Sequence, residues 1–212
     1  MKTFFSKILL ILIALLSILI SCYAFSYLLN FQNKSYSFLS QKSQELVKNV
    51  FWHVGFYMHI GFSGIALSIG WTGFIKRLRI GKFKKTHQFL GKIYVFTTFL
   101  GSVSGICIGF FAEGGPIAKI GFISLGIIWF STTYLGYKSI RKRNITDHQT
   151  MMLYSYSLCF AAVTLRIWFP ILQNYFEEFN SAYRIVAWLC WIPNLLMAHF
   201  MILNKRIKTE LH

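Results

Sequence analysis

Six apolar runs, each long enough to cross a bilayer, lie along this chain at roughly residues 8–29, 50–75, 88–111, 117–138, 149–172 and 182–204. A spanning helix needs about 20 predominantly apolar residues, because the hydrocarbon core has no water to satisfy an exposed backbone and each segment must close its hydrogen bonds within itself. The fold class that follows is all-α, a polytopic membrane bundle of six transmembrane helices joined by short polar segments. Composition agrees, since 55% of the 212 residues are hydrophobic, 18% are aromatic and only 13% are charged, a balance that soluble domains rarely show. The expected organisation is a first spanning helix with its outer loop over 1–49, a five-helix membrane core over 50–204 and a basic tail over 205–212.

The 22 Lys and Arg against 6 Asp and Glu give a formal charge of +16, which in a soluble protein would suggest nucleic acid. Here the cations alternate in density between successive loops. Lys2 and Lys7, the run from Lys76 to Lys85, the run from Lys138 to Arg143, and Lys205, Arg206 and Lys208 all fall on one side, while Lys34, Lys42, Lys48, Lys119 and Arg184 fall on the other. Loops rich in Lys and Arg stay on the cytoplasmic side. Both termini are therefore expected to be cytoplasmic, in a multi-pass protein of the inner membrane whose partner is the lipid bilayer, and no nucleic acid is needed to explain the charge.

The first run also fits a secretory signal, with "LISC" ending at Cys22 in the manner of a lipoprotein cleavage box. Apolar character nonetheless continues through Tyr27, Leu28 and Leu29, past the signal-peptide core of about 7–15 residues, so a retained span is expected. Cys22, Cys107, Cys159 and Cys190 lie inside spans without a CxxC pair, as small packing residues. No phosphate-binding glycine loop, Ser/His/Asp order or HExxH occurs.

Chemistry is concentrated on helix faces that carry histidine. In the second span Gly55, His59, Ser63, Ala66 and Gly70 share one stripe. The third repeats the pattern with His87, Gly91, Tyr94, Thr98, Gly101 and Gly105, and the fifth with His148, Met152, Ser155, Cys159, Ala162 and Arg166. Small residues let membrane helices approach closely, and this is the simpler account of the stripes. A flat macrocycle beside the histidines is the alternative. Thr86 and Asp147, good N-capping residues, immediately precede His87 and His148 and place both imidazoles in a first turn at the cytoplasmic surface, at similar depth. Interfacial anchoring explains such a pair, as does ligation of a haem iron or a metal ion. His59, well inside a span, is expensive in lipid and marks a functional site by default. Arg166 cannot shed its charge. With Asn194 of "WIPNLL" it is expected to join His59 in an outer polar cluster, where a haem propionate would pair with the guanidinium. His53 reads as interfacial beside Trp52, His199 as a reserve ligand and His212 as tail, while Trp188 and Trp191 read as packing aromatics.

The ordered motifs "HIGFSG" from His59, "THQFLGKIY" from Thr86, "DHQTMM" from Asp147, "AAVTLRIW" from Ala161 and "AWLCWIPNLL" from Ala187 resemble a bacterial membrane family known as domain of unknown function 2306, over roughly residues 50–204. The resemblance implies a multi-span inner-membrane protein whose family pattern includes His59, His87, His148, Arg166 and Asn194. Where that pattern has His-Arg, this chain has His87-Gln88 and His148-Gln149.

Three functional expectations follow. The first is a membrane redox protein binding haem b or a metal through His59, His87 and His148, and exchanging electrons with a partner in the membrane. The second is a small transporter or proton-binding protein with His59 and Arg166 in a polar pathway and helices broken near Pro170 and Pro193, whose small size calls for a homodimer. The third is a surface metal site or enzyme built on His87, His148 and His199.

Overall fold

Each apolar run folds as a helix because its backbone has no other partner in lipid. The structure is a computed structural model that describes residues 2–29, 46, 49–176 and 178–210, with side chains described over 7–29, 46, 49–176 and 178–204. Nine helices are numbered here among the described residues: α1 (Lys2–Leu29), α2 (Val50–Gly70), the single turn α3 (Lys76–Arg79), α4 (Lys84–Gly109), α5 (Gly115–Arg141), α6 (Ile145–Cys159), α7 (Ala161–Phe176), α8 (Phe179–Leu189) and α9 (Ile192–Glu210). No strand occurs among the described residues. Together they supply six segments long and apolar enough to cross a membrane, Lys7–Leu29, Val50–Phe74, Gly81–Gly109, Gly115–Arg141, Ile145–Phe176 and Phe179–Asn204. The sequence-drawn spans fall on all six, with ends that differ by up to about seven residues because the helices continue into polar flanking residues beyond the apolar cores.

The chain divides into two units, residues 1–111 and 112–212. In the first, α1 and α2 pack antiparallel around Ala24, Tyr27, Trp52, Phe56 and Ile60. The Trp52 and Phe56 rings stack at 5.0 Å, and Tyr27 meets Phe56 edge-on at 6.1 Å. Asn49 starts α2 by accepting from the Trp52 amide at 3.1 Å, which closes one of the four donors a helix start leaves open. Ser21 Oγ donates to the Gly64 carbonyl at 2.9 Å, a polar link between α1 and α2 that an apolar seam could not supply. The third member of the unit, α4, lies along α2. Between them runs an elbow made of α3 and two 3₁₀ turns, Trp71–Phe74 and Gly81–Phe83, in which Gly81 at φ +61° takes the left-handed turn that a side chain would resist.

The second unit is built on two hairpins. α5 enters through Gly114 and Gly115, both at positive φ, with Pro116 in its first turn. Its stripe of Gly126, Trp129, Thr133 and Gly136 is buried. Thr133 and Ser155 share a buried hydroxyl–hydroxyl hydrogen bond of 2.7 Å between α5 and α6. On the other flank of α5, a Cβ at Gly121 would stand 2.9 Å from the Ala187 carbonyl, so α8 approaches to backbone contact. Arg184 Nε and Trp188 Nε1 donate to the carbonyls of Gly114 and Ile117 at 2.7 and 3.2 Å, fastening α8 to the start of α5.

Both remaining spans are interrupted: the fifth at Phe160 between α6 and α7, the sixth at Cys190–Trp191 between α8 and α9. Pro193, the second residue of α9, explains the latter, since it has no N–H to continue the ladder. The break expected at Pro170 is not found there. Pro170 lies inside α7, and the fifth span is interrupted ten residues earlier.

Candidate functional site

The histidines are best followed from the helices that carry them. His59, half-buried on α2, has its Nδ1 2.7 Å from the carbonyl oxygen of Gly101 on α4. A carbonyl can only accept, so in the neutral ring Nδ1 carries the hydrogen and Nε2 is the lone-pair nitrogen. The ring fits because α4 is bare beneath it. A Cβ at Gly105 would lie 2.8 Å from Nδ1 and 2.9 Å from Cε1, and one at Gly101 would lie 2.6 Å from Ser63 Oγ. Gly101 and Gly105 of this stripe are thus filled by the side chains of α2, as close helix packing requires.

The second unit repeats the device. His148 in α6 has its Nδ1 2.9 Å from the carbonyl of Gly136 on α5, and the missing Cβ of Gly136 is occupied by Met152, whose Sδ would stand 2.8 Å from it. His148 is half-buried at the head of α6. The cap lies three residues earlier than Asp147, because Asn144 Oδ1 accepts from the Asp147 amide at 3.1 Å while Asn144 Nδ2 donates to Asp147 Oδ2 at 2.7 Å. The Asn144 cap satisfies one amide of the helix start, and its side-chain amide occupies the aspartate carboxylate. Likewise α4 starts at Lys84, before Thr86. His87 therefore lies one turn inside its helix, half-buried, and a Cβ at Gly91 one turn further would meet nothing within 4 Å.

His59 and His87 belong to one unit but stand at different levels. Gly101, which binds His59, is about 21 Å along α4 from His87 at 1.5 Å per residue. The expected outer cluster divides between the units, with His59 in the first and Arg166 and Asn194 in the second. Arg166 Nη1 donates to the Ala162 carbonyl of its own helix at 2.9 Å. Asn194 Nδ2 lies 3.0 Å from both Thr164 Oγ1 and the Cys190 carbonyl and 3.3 Å from the Ser157 carbonyl, and Thr164 Oγ1 donates to the same Cys190 carbonyl. Asn194 and Thr164 thus tie the two interruptions together.

His199 is exposed and its Nδ1 lies 2.7 Å from the Tyr154 hydroxyl, the two rings stacked at 6.3 Å. His53 lies beside Trp52 and Tyr57, and His212 falls outside the described residues. Among the described residues no group of three or more His, Cys, Asp or Glu side chains is placed to hold a metal ion. Sequence reasoning had no signal for the carbonyl partners Gly101 and Gly136, which are backbone atoms of the neighbouring helix, or for the Tyr154–His199 pair.

Six apolar spans and helix-to-helix polar ties define an integral, multi-pass membrane protein. The family model described as predicted membrane protein (DUF2306) matches residues 56–202, more than half of the chain, and the protein belongs to that family. No curated protein and no solved structure matches the chain.

Proposed function

We propose that the protein is a haem-binding redox component of the inner membrane, in which His59 and His148 would hold the group through Nε2. The observation that supports this reading is the pair of Nδ1–H···O=C hydrogen bonds to glycine carbonyls, one in each unit. Ligating histidines in general donate their other ring N–H to a carbonyl or carboxylate, which fixes the tautomer and ring orientation and raises the basicity of the ligating nitrogen. The residues fit the group to that extent: the tautomer is the one that ligation needs. Haem, when bound, supplies one-electron chemistry through its iron. The contribution of the chain is to orient each ring through the glycine carbonyl. His87 is a further candidate ligand, because the open space at Gly91 leaves room for a flat ring on its face. Arg166 lies on α7, beyond the interruption at Phe160, and is not assigned to a haem held at His148.

The test is the absorption spectrum of the full chain, expressed with ample haem and purified, before and after dithionite. A Soret band that sharpens on reduction is expected. His59→Leu and His148→Leu should each lower the haem content by about half or more, whereas His53→Leu should leave it unchanged. A purified, folded protein without a Soret band removes the proposal.

A second reading is favoured by the interrupted fifth and sixth spans, since discontinuous helices frame sites in transporters. In it the tethered imidazoles act as proton acceptors at Nε2 and the interruptions at Phe160 and Cys190–Trp191 flex. Proteoliposomes decide it: proton or solute flux lost in His59→Leu supports this reading, and vesicles without flux end it.

A further inference from the structure

The elbow between α2 and α4 holds six cations in ten residues, Lys76, Arg77, Arg79, Lys82, Lys84 and Lys85, and the proposed redox function makes no use of it. We propose that Lys76–Lys85 is a docking surface for the phosphate headgroups of anionic phospholipids, centred on Arg77, Lys82 and Phe83. Lipid orientation alone explains why these residues are basic. It does not explain how they are held.

The segment is folded, with one helical turn at Lys76–Arg79 and a 3₁₀ turn at Gly81–Phe83. Two cations from different turns gather on one ring, since the Arg77 guanidinium carbon is 5.3 Å and Lys82 Nζ 5.4 Å from the centre of Phe83. The ring attracts each cation, and so the two charges are held within about a Debye length of one another. Their repulsion needs an anion, and the described residues of the first unit supply no carboxylate. Between Val50 and Phe111 there is no Asp or Glu, and Glu45 is the one carboxylate of the first 111 residues. Lys7 of α1, which runs antiparallel to α2, adds a further exposed cation at the elbow end.

Apolar surface beside the charges chooses the lipid over a soluble phosphate. Ile80, within the elbow, is 69% exposed, Phe89 in the second turn of α4 is 62% exposed, and the spanning segment Gly81–Gly109 begins in the elbow itself. A phospholipid matches both halves at once, phosphate on the cations and acyl chain on the exposed apolar side chains. Basic clusters bordering a transmembrane helix attract anionic lipid with about a five-fold gain per cation.

The test is native mass spectrometry of the detergent-solubilised full chain, titrated with phosphatidylglycerol or with phosphatidylcholine. Preferential retention of phosphatidylglycerol is expected. Arg77→Gln with Lys82→Gln should weaken it about 25-fold, at the same increment per cation, whereas Lys138→Gln with Lys142→Gln on the other basic loop should cost less than five-fold. Phe83→Leu keeps every charge and the apolar character, and should still weaken retention several-fold because the two cations lose their common ring. Equal losses from the two double substitutions, with Phe83→Leu inert, would assign the preference to net charge and overturn the proposal. Equal binding of soluble glycerol phosphate would overturn the lipid assignment.

Discussion

At His59 two properties of glycine act together, the accessible carbonyl of Gly101 and the absent Cβ of Gly105. A methyl group at position 105 would overlap the imidazole at 2.8 Å, and so Gly105→Ala must push the ring away from Gly101 or part the helices. A hydrogen bond between membrane helices is worth about 0.6–2 kcal/mol, and the substitution should cost at least that in thermal or denaturant unfolding of the purified protein. Gly91→Ala is the contrasting change on the same helix. Its Cβ enters open space, and removing a glycine from a helix interior gains up to about 1 kcal/mol. The expected signs are therefore opposite, with Gly105→Ala destabilising and Gly91→Ala neutral or stabilising. Should both raise stability, the close approach of His59 to α4 is wrong.

At the scale of elements, the fifth and sixth spans depend on a polar knot. The Cys190 carbonyl accepts from Thr164 and Asn194, joining α7 to the junction of α8 and α9. Replacing Asn194 by Leu removes the donor that reaches the Ser157 and Cys190 carbonyls and Thr164 Oγ1 in a setting without water, and should cost about 1–3 kcal/mol in unfolding measurements, with Thr164→Val alone costing less because Asn194 still reaches both carbonyls. If Asn194→Leu unfolds like the wild type, the interruptions do not depend on this tie. Pro193 announces one interruption in the sequence, by its missing N–H. Phe160 carries no such mark, and its turn depends on tertiary contacts that periodicity cannot reveal. The helix starts show the same division. Asn144, three residues before Asp147, was as readable a cap as Asp147 itself, and choosing between them required knowing where the apolar face begins. Of the candidate site, His59, His148 and Asn194 could be picked out by residue type, because ionisable and polar side chains stand out within apolar runs. Their partners could not, since Gly101 and Gly136 bind through backbone atoms that every residue possesses.

Across the whole molecule the six spans were legible because lipid imposes one rule on every segment, and length with apolarity suffices to apply it. Side preference is a separate matter, set by where the cations lie. The basic elbow of 76–85, the loop of 138–143, the N-terminal Lys2 and Lys7 and the C-terminal Lys205, Arg206 and Lys208 alternate along the chain with the six spans, so six crossings would put all four groups on one side. The cytoplasm is the expected side. A fluorescent protein that folds only in the cytoplasm, fused after His212, should fluoresce, while alkaline phosphatase fused there should be inactive. The same phosphatase inserted at Glu113, between α4 and α5, should be active. The elbow holds more cations than any other loop, so neutralising all six should produce a mixed population with phosphatase activity at the C-terminus, whereas neutralising only Arg77 and Lys82 should leave the orientation intact. Phosphatase activity at the unmodified C-terminus would invert the whole arrangement and place the elbow against the outer leaflet.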